Sequence, residues 1–119
     1  MIGRGYCAFM VVGSGIIDLW IAGSNSLKGK RGVLSRIVKR TQNEFNISIA
    51  EVGENDHWKR AQIGFSVVGN DRRYINGKMD HLIKFIDSLR LAEVVNTRIE
   101  ITILSDFPFS GGYEEDKYD

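Results

Sequence analysis

The apolar residues of this chain follow six successive patterns, and each pattern is typical of one element of secondary structure. Four segments are densely apolar or alternate between apolar and polar residues, as β-strands do. Two longer segments have apolar residues three and four positions apart, as amphipathic helices do. The predicted order is therefore strand, helix, strand, strand, helix, strand, and few folds accommodate that order.

Local signals agree with these six elements. Ser24 or Ser26 is predicted to cap the first helix, and Asp71 is predicted to cap the second. Glycines at 13 and 15 predict a bulge or a bend within the first strand. A turn signal at 53–56 joins the second and third strands, which we expect to form a hairpin.

The βαββαβ order predicts the α+β class and a ferredoxin-like fold, with a four-stranded antiparallel sheet and two helices on one face. At 119 residues the chain is predicted to be one domain over residues 1–104, followed by an acidic flexible tail at 105–119. The second face of the sheet is expected to stay open. It would be lined by Asp18, Trp20, Ser48, Ala50, Gln62, Gly64, Ser66, Arg98, Glu100 and Thr102.

The net charge of +1 conceals an uneven distribution of charges along the chain. Residues 27–43 contain six basic residues and no acid, whereas the last fifteen residues contain five acids and a single lysine. Clustered cations can bind the phosphates of a nucleic acid; the alternative is an ordinary solvated helix face. The predicted anion-binding residues are Lys28, Lys30, Arg31, Arg36, Lys39 and Arg40, with Arg72 and Arg73 as helpers at the start of the second helix.

The segment GSNSLKGKRG, residues 23–32, lies where a phosphate-binding loop of a nucleotide enzyme would lie. A Walker A loop requires four residues between its glycines and a hydroxyl residue after its lysine. Here five residues separate Gly23 from Gly29, and Arg31 occupies the hydroxyl position. The sequence therefore argues against nucleotide hydrolysis.

Other chemistry receives little support from the sequence. The single cysteine, Cys7, and two distant histidines have no metal-ligand or catalytic spacing, so we expect no enzyme activity, no cofactor and no metal. Base stacking of the RNA-recognition type is disfavoured because Phe65 is in phase with core residues. The cluster Asp56-His57-Trp58 is expected either to form a turn with Trp58 over the sheet edge or to contact a ligand.

Residues 26–71 resemble the YlxP-like family, a group of small bacterial proteins of unknown function. The matching residues are Ser26-Leu27-Lys28, Lys30-Arg31, the run from Phe45 to Glu51, Asp56, Trp58 and the run from Val68 to Asp71. A weaker likeness extends from about Met10 to Leu104. The chain differs from the family at Gly29, where an acid is usual, and near Ala22, where proline is frequent.

The resemblance implies a ferredoxin-like fold, in agreement with the pattern of the residues. It also implies a connection with RNA or the ribosome, because genes of this family often lie beside those of transcription, translation and ribosome-maturation factors. It implies no catalytic residue. We therefore predict a cytoplasmic, non-enzymatic binding protein that associates with RNA or the ribosome and not with a membrane. The alternative is a homo-oligomeric interaction module, most simply a dimer, that binds no nucleic acid.

Overall fold

The computed structural model describes residues 9–105 of the 119-residue chain and contains six regular elements in the predicted order. The elements are β1 (Phe9–Trp20), α1 (Leu27–Glu44), β2 (Ser48–Gly53), β3 (Arg60–Gly69), α2 (Arg72–Ser88) and β4 (Glu93–Ser105). This confirms the α+β class and the βαββαβ layout. Cys7 and the acidic segment from 106 onwards lie outside the described residues.

The four strands form one antiparallel sheet in the order β2-β3-β1-β4. β1 lies inside the sheet, between β3 and β4, and β2 and β4 are the edge strands. The predicted hairpin of β2 and β3 is confirmed, with Ser48 opposite Ser66 and Ala50 opposite Gly64. Each helix connects two strands that are not neighbours in the sheet, so both helices can cover the sheet between them.

Side chains of the strands alternate between the two faces of the sheet. From Val11 to Leu19 on β1 and from Ala61 to Val67 on β3 the odd-numbered residues are buried, and the even-numbered residues between them are half-buried. Both helices pack their apolar stripes against the odd-numbered face. The buried helix side chains are Lys30, Leu34, Ile37 and Thr41 of α1 and Ile75, Met79, Leu82 and Ile86 of α2. The even-numbered face is the open face predicted from the sequence.

Gly13 and Gly15 produce no bulge, so this part of the prediction is wrong. The pairing of β1 with both of its neighbours continues without a shift through both glycines. The missing side chains instead leave room for the layer above the sheet. A Cβ at position 13 would lie 2.7 Å from Ile75 and Met79, and one at position 15 would lie 2.6 Å from the ring of Phe65. The two glycines therefore allow large core side chains to approach the β1 backbone.

Both predicted helix caps are present. The Ser26 hydroxyl accepts a hydrogen bond from the Gly29 N–H at 3.0 Å, and the Asp71 carboxylate accepts one from the Tyr74 N–H at 3.0 Å. These bonds satisfy amides that have no partner within the first turn of a helix. Ser24, the other predicted cap, is buried and donates to the Ser26 carbonyl at 3.0 Å. It supports the cap instead of forming it.

The edge strand β4 is covered less completely than its sequence pattern indicates. Ile99 lies opposite Gly15 and Ile103 opposite Val11, so both isoleucines are on the face that carries the helices. They nevertheless remain 50% and 41% exposed. Only Val94 and Ile101 of this strand pack against the core as half-buried residues. β4 therefore retains a solvent-exposed apolar stripe.

Candidate nucleic-acid interface

The cations of α1 lie on its solvent-facing side because the helix has a single apolar stripe. Leu34, Ile37 and Thr41 recur at spacings of three and four and face the sheet. The residues on the opposite side of the helix point outward, since a helix turns once every 3.6 residues. Five of the predicted residues are found there and are exposed: Lys28, Arg31, Arg36, Lys39 and Arg40. We call these five residues the α1 cationic face.

The positive charges of the α1 cationic face are not neutralised by acidic side chains within residues 9–105. None of its five side chains forms an ion pair or a side-chain hydrogen bond with another described residue. The first turn of α1 contains no acidic residue. From Lys28 to Arg40 the helix rises by about 18 Å, so the charges form an extended strip and not a point. Such a strip matches a linear polyanion better than it matches a single small anion.

Lys30 does not belong to this face, although the sequence places it among the same cations. Its side chain is 1% exposed and points beneath α1 towards the β2–β3 hairpin. The ammonium group donates to the Glu54 carbonyl at 2.6 Å and to the Arg60 carbonyl at 3.1 Å, and it forms an ion pair with Glu51 at 3.4 Å. An ammonium enclosed in this way cannot reach a bound phosphate, so Lys30 has a structural role.

A second lysine, Lys59, also links the start of α1 to the β2–β3 hairpin, but here the lysine belongs to the hairpin loop and the carbonyls lie just before α1. Lys59, in the loop between β2 and β3, donates to the carbonyls of Ala22 at 2.7 Å and Ser24 at 2.8 Å. The backbone adds a hydrogen bond from the Ile21 N–H to the Lys59 carbonyl at 2.7 Å. Together with Lys30, these bonds hold the start of α1 against the hairpin loop. Sequence reasoning missed Lys59, because an isolated lysine after a loop gives no signal of its partners.

Arg72 and Arg73 are exposed but lie at the other end of the molecule. Arg73 shares a surface depression with Glu44, the last residue of α1, and with Tyr74 of α2. Both arginines also border a depression with Asp71, whose carboxylate caps α2. The structure thus brings Arg73 near the C-terminal end of the α1 cationic face, and it places both arginines beside Asp71 and away from Lys28 and Arg31.

The Asp56-His57-Trp58 loop presents an aromatic surface at the N-terminal end of α1. His57 Nδ1 accepts hydrogen bonds at 3.1 Å from the backbone N–H groups of Lys59 and Arg60, so the histidine shapes the loop. Its ring lies 6.4 Å from that of Trp20. Trp58 is 56% exposed. An exposed indole beside a cationic strip is suited to stacking on an unpaired base.

The open face of the sheet contains a small polar network that the sequence pattern did not indicate. Gln62 donates to Asp18 at 2.8 Å, and Arg98 approaches the same carboxylate oxygen at 3.7 Å. These residues come from three adjacent strands, and Asp18 and Gln62 line a cleft of about 380 Å³ together with Trp20. By contrast, Phe65 is buried on the helix side, as predicted, and offers no stacking surface.

Comparison with known proteins assigns the chain to a family. A family model described as "Protein of unknown function (DUF503)" matches residues 12–99, from β1 into the middle of β4. The chain belongs to the DUF503 family. A relative from Bacillus subtilis (strain 168), "Uncharacterized protein YlxP", is 38% identical over 90 residues, which are 76% of this chain and 98% of the relative. The resemblance to the YlxP-like family is thereby confirmed.

The DUF503 match includes the whole of α1 and its exposed cations, the hairpin loop and α2. A solved structure, the de novo designed protein Foldit4, is similar over 80% of this chain and 96% of its own length, with 14% identity and a TM-score of 0.44.

Among the described residues no group of three His, Cys, Asp or Glu side chains is placed to hold a metal ion. No helix within residues 9–105 has the length and apolar character needed to cross a membrane.

Proposed function

We propose that this DUF503 protein is a non-enzymatic, cytoplasmic RNA-binding protein that holds structured RNA, including RNA in a ribonucleoprotein, through its sugar-phosphate backbone. The α1 cationic face is the contact surface. The observation that carries the proposal is the exposure of five cations along one helix face, with no ion pair to any other described residue. Contacts of this kind position an RNA without reading its sequence.

The placement of the charges costs the isolated protein stability, which favours a functional reason for it. Lys28 and Arg31 lie in the first two turns of α1, where the partial positive charge of the helix N-terminus disfavours cations. No acid lies nearby in the first turn to offset them. A bound phosphate would interact favourably with both cations and with the helix dipole.

Two further features extend the surface beyond phosphate contacts. Trp58 is exposed in the loop that Lys30 and Lys59 hold against the start of α1. It can stack on an unpaired base at the end of a contacted helix. Arg72 and Arg73 can contact a backbone phosphate only if the RNA extends past Glu44. Their contribution to affinity should therefore depend on RNA length.

The salt dependence of RNA affinity tests the proposal. Fluorescence anisotropy with a labelled RNA hairpin at several salt concentrations would compare two double variants, each with two lysines replaced by alanine. One variant, Lys28→Ala with Lys39→Ala, alters the α1 cationic face. The other, Lys78→Ala with Lys84→Ala, alters exposed and half-buried positions of α2 and serves as the control. Removing one lysine–phosphate interaction should lower the slope of log K against log salt by about 0.7 to 0.9, hence by about 1.5 for the α1 variant.

The α2 control should retain both the affinity and the slope of the unaltered protein. Equal affinity for the unaltered protein and the α1 variant would refute the proposed contact surface. Equally weakened binding in the two variants would mean that only net charge matters and that α1 is no specific site. An affinity independent of salt would exclude phosphate contacts as the basis of binding.

A further inference from the structure

The outer edge of β4 is the longest strand edge without a neighbouring strand in the described part of the protein. β4 pairs only with β1 there, so from Glu93 to Leu104 its other side faces no strand within residues 9–105. Edge strands are normally protected by lysine, proline, short length or bulges. β4 contains neither lysine nor proline, and its one irregularity lies near its beginning, opposite Asp18 and Leu19.

The side chains of β4 add apolar surface to this edge. Val95 is 60% exposed and Leu104 is 61% exposed, near the two ends of the strand. Ile99 is 50% exposed at its middle, on the face that carries the helices. An exposed edge that combines unpaired backbone with isoleucine and valine favours pairing with another strand.

The charges of β4 identify a second copy of the same strand as the partner. Arg98 and Glu100 flank Ile99 and lie on the open face of the sheet, opposite Ile16 and Ser14 of β1. When two β4 strands pair antiparallel about a two-fold axis at Ile99, Arg98 of each copy lies opposite Glu100 of the other. Opposite charges across a strand pair stabilise it. Moving the axis by one residue, to Arg98 or to Glu100, would instead place two like charges opposite each other.

An axis at Ile99 lets the described residues of the two β4 strands, Glu93–Ser105, lie alongside each other. The register also keeps side chains on their proper faces, because residues that lie directly opposite point to the same side of an antiparallel sheet.

We propose that the protein forms a two-fold dimer in which two β4 strands pair antiparallel with Ile99 opposite Ile99, so that two four-stranded sheets become one of eight. Ile99 of both copies then meet at the axis on the helix side. On the open face Arg98, which is 58% exposed and 3.7 Å from Asp18 of its own chain, bridges to Glu100 of the other copy. The interaction does not depend on RNA and leaves the α1 cationic face uncovered.

Charge exchange tests the pairing of Arg98 with Glu100. Arg98→Glu makes both positions acidic, and Glu100→Arg makes both basic. Each variant alone should raise the dimer dissociation constant about tenfold or more, because like charges then face each other twice. An equimolar mixture should recover dimers of one acidic and one basic chain. Analytical ultracentrifugation of the full chain measures all three samples. Lys84→Glu, a charge reversal on the exposed side of α2, should leave dimerisation unchanged.

Cysteine substitution tests the register without altering charge. In a Cys7→Ser background, Ile99→Cys should form an intermolecular disulfide, because opposite Cα atoms in an antiparallel pair are about 4.5 to 5.5 Å apart. Thr97→Cys is the matched control, since in this register residue 97 lies opposite residue 101 and the two cysteines would be about 14 Å apart. Non-reducing electrophoresis distinguishes the two outcomes.

A monomer at micromolar concentrations, with no disulfide from Ile99→Cys, would overturn the proposal. A dimer that crosslinks through Thr97→Cys and not through Ile99→Cys would overturn the register. If repulsion from Asp18 prevents Arg98→Glu from folding, Glu100→Arg and the two cysteine variants still test the proposed pairing and its register. If the unaltered protein is monomeric and its β4 edge binds only an added extended peptide, the edge pairs with a different chain and the proposed homodimer is refuted.

Discussion

Replacement of Lys30 by methionine should destabilise the protein strongly, although the residue belongs to a run of cations on a mostly exposed helix. Methionine keeps most of the volume of the side chain and removes only the ammonium group. The substitution therefore isolates the contribution of the three polar contacts beneath α1, with Glu54, Arg60 and Glu51.

The expected destabilisation can be worked from those contacts. Two backbone carbonyls lose a charged donor at 2.6 and 3.1 Å, and an acceptor left unsatisfied in a buried site costs about 1–3 kcal/mol. Glu51 loses its cation as well; its side chain is 24% exposed, but Oε2, the oxygen that faces Lys30, is buried and has no hydrogen-bond partner among the described residues. Methionine carries no charge, so the variant avoids the free-energy cost of removing an ammonium group from water on folding. This gain offsets part of the loss. We expect the free energy of unfolding to fall by about 3 kcal/mol, or Tm to fall by about 12–24 °C for a domain of this size.

Thermal and urea denaturation of the full chain measure this effect. Lys28→Met is the matched control, because it makes the same change two residues earlier, at an exposed position where no other residue of 9–105 bonds to the ammonium group. It should alter stability by no more than about 0.5 kcal/mol. If both variants melt at the same temperature, the enclosed lysine contributes nothing and the account given for it is wrong. A folded Lys30→Met should retain the salt slope of the proposed RNA binding, since the ammonium of Lys30 lies beneath α1 and not on the α1 cationic face.

Two glycines should respond in opposite directions to alanine. Gly15→Ala would place a Cβ 2.6 Å from the Phe65 ring and 3.0 Å from the Arg98 carbonyl, so overpacking should cost about 1–3 kcal/mol in urea unfolding; an unchanged midpoint would show that the sheet and the ring move apart without penalty. Gly77→Ala, inside α2 with no atom within 4 Å of the new Cβ, should stabilise the protein by about 0.5–1 kcal/mol, and a lowered Tm would contradict the open environment described for it.

The elements and their order could be predicted because each depends on neighbours in the sequence. Apolar periodicity, the Ser26 and Asp71 caps and the turn at 53–56 are all local signals, and they agreed with one another. The α1 cationic face was predictable for the same reason, since the side of an amphipathic helix opposite its apolar stripe faces solvent. Five of the six α1 cations are found there.

The features that were missed depend on contacts between distant segments. Lys30 lies on the buried side of α1 by its helical position, yet nothing local shows that carbonyls 24 and 30 residues away would receive it. The glycines of β1 carry a bulge signal, and only the approach of α2 and of the Phe65 ring explains their actual role. The apolar pattern of β4 indicates a buried face, but periodicity cannot say which strand lies at the edge of a sheet.

The position of the helices determines how dimerisation would affect RNA binding. In a dimer with its axis perpendicular to the sheet, both copies of α1 lie on the same side of the eight-stranded sheet. α1 packs against β2, the outermost strand of each copy, so the two cationic faces lie near opposite edges. Strands are about 4.8 Å apart, which separates the two β2 strands by about 34 Å. Only an RNA that spans this distance can use both faces, and it would then gain from the high effective concentration of the second face. A dimer built on β4 would therefore select RNA by its extent and not by its sequence, because phosphate contacts alone cannot read bases.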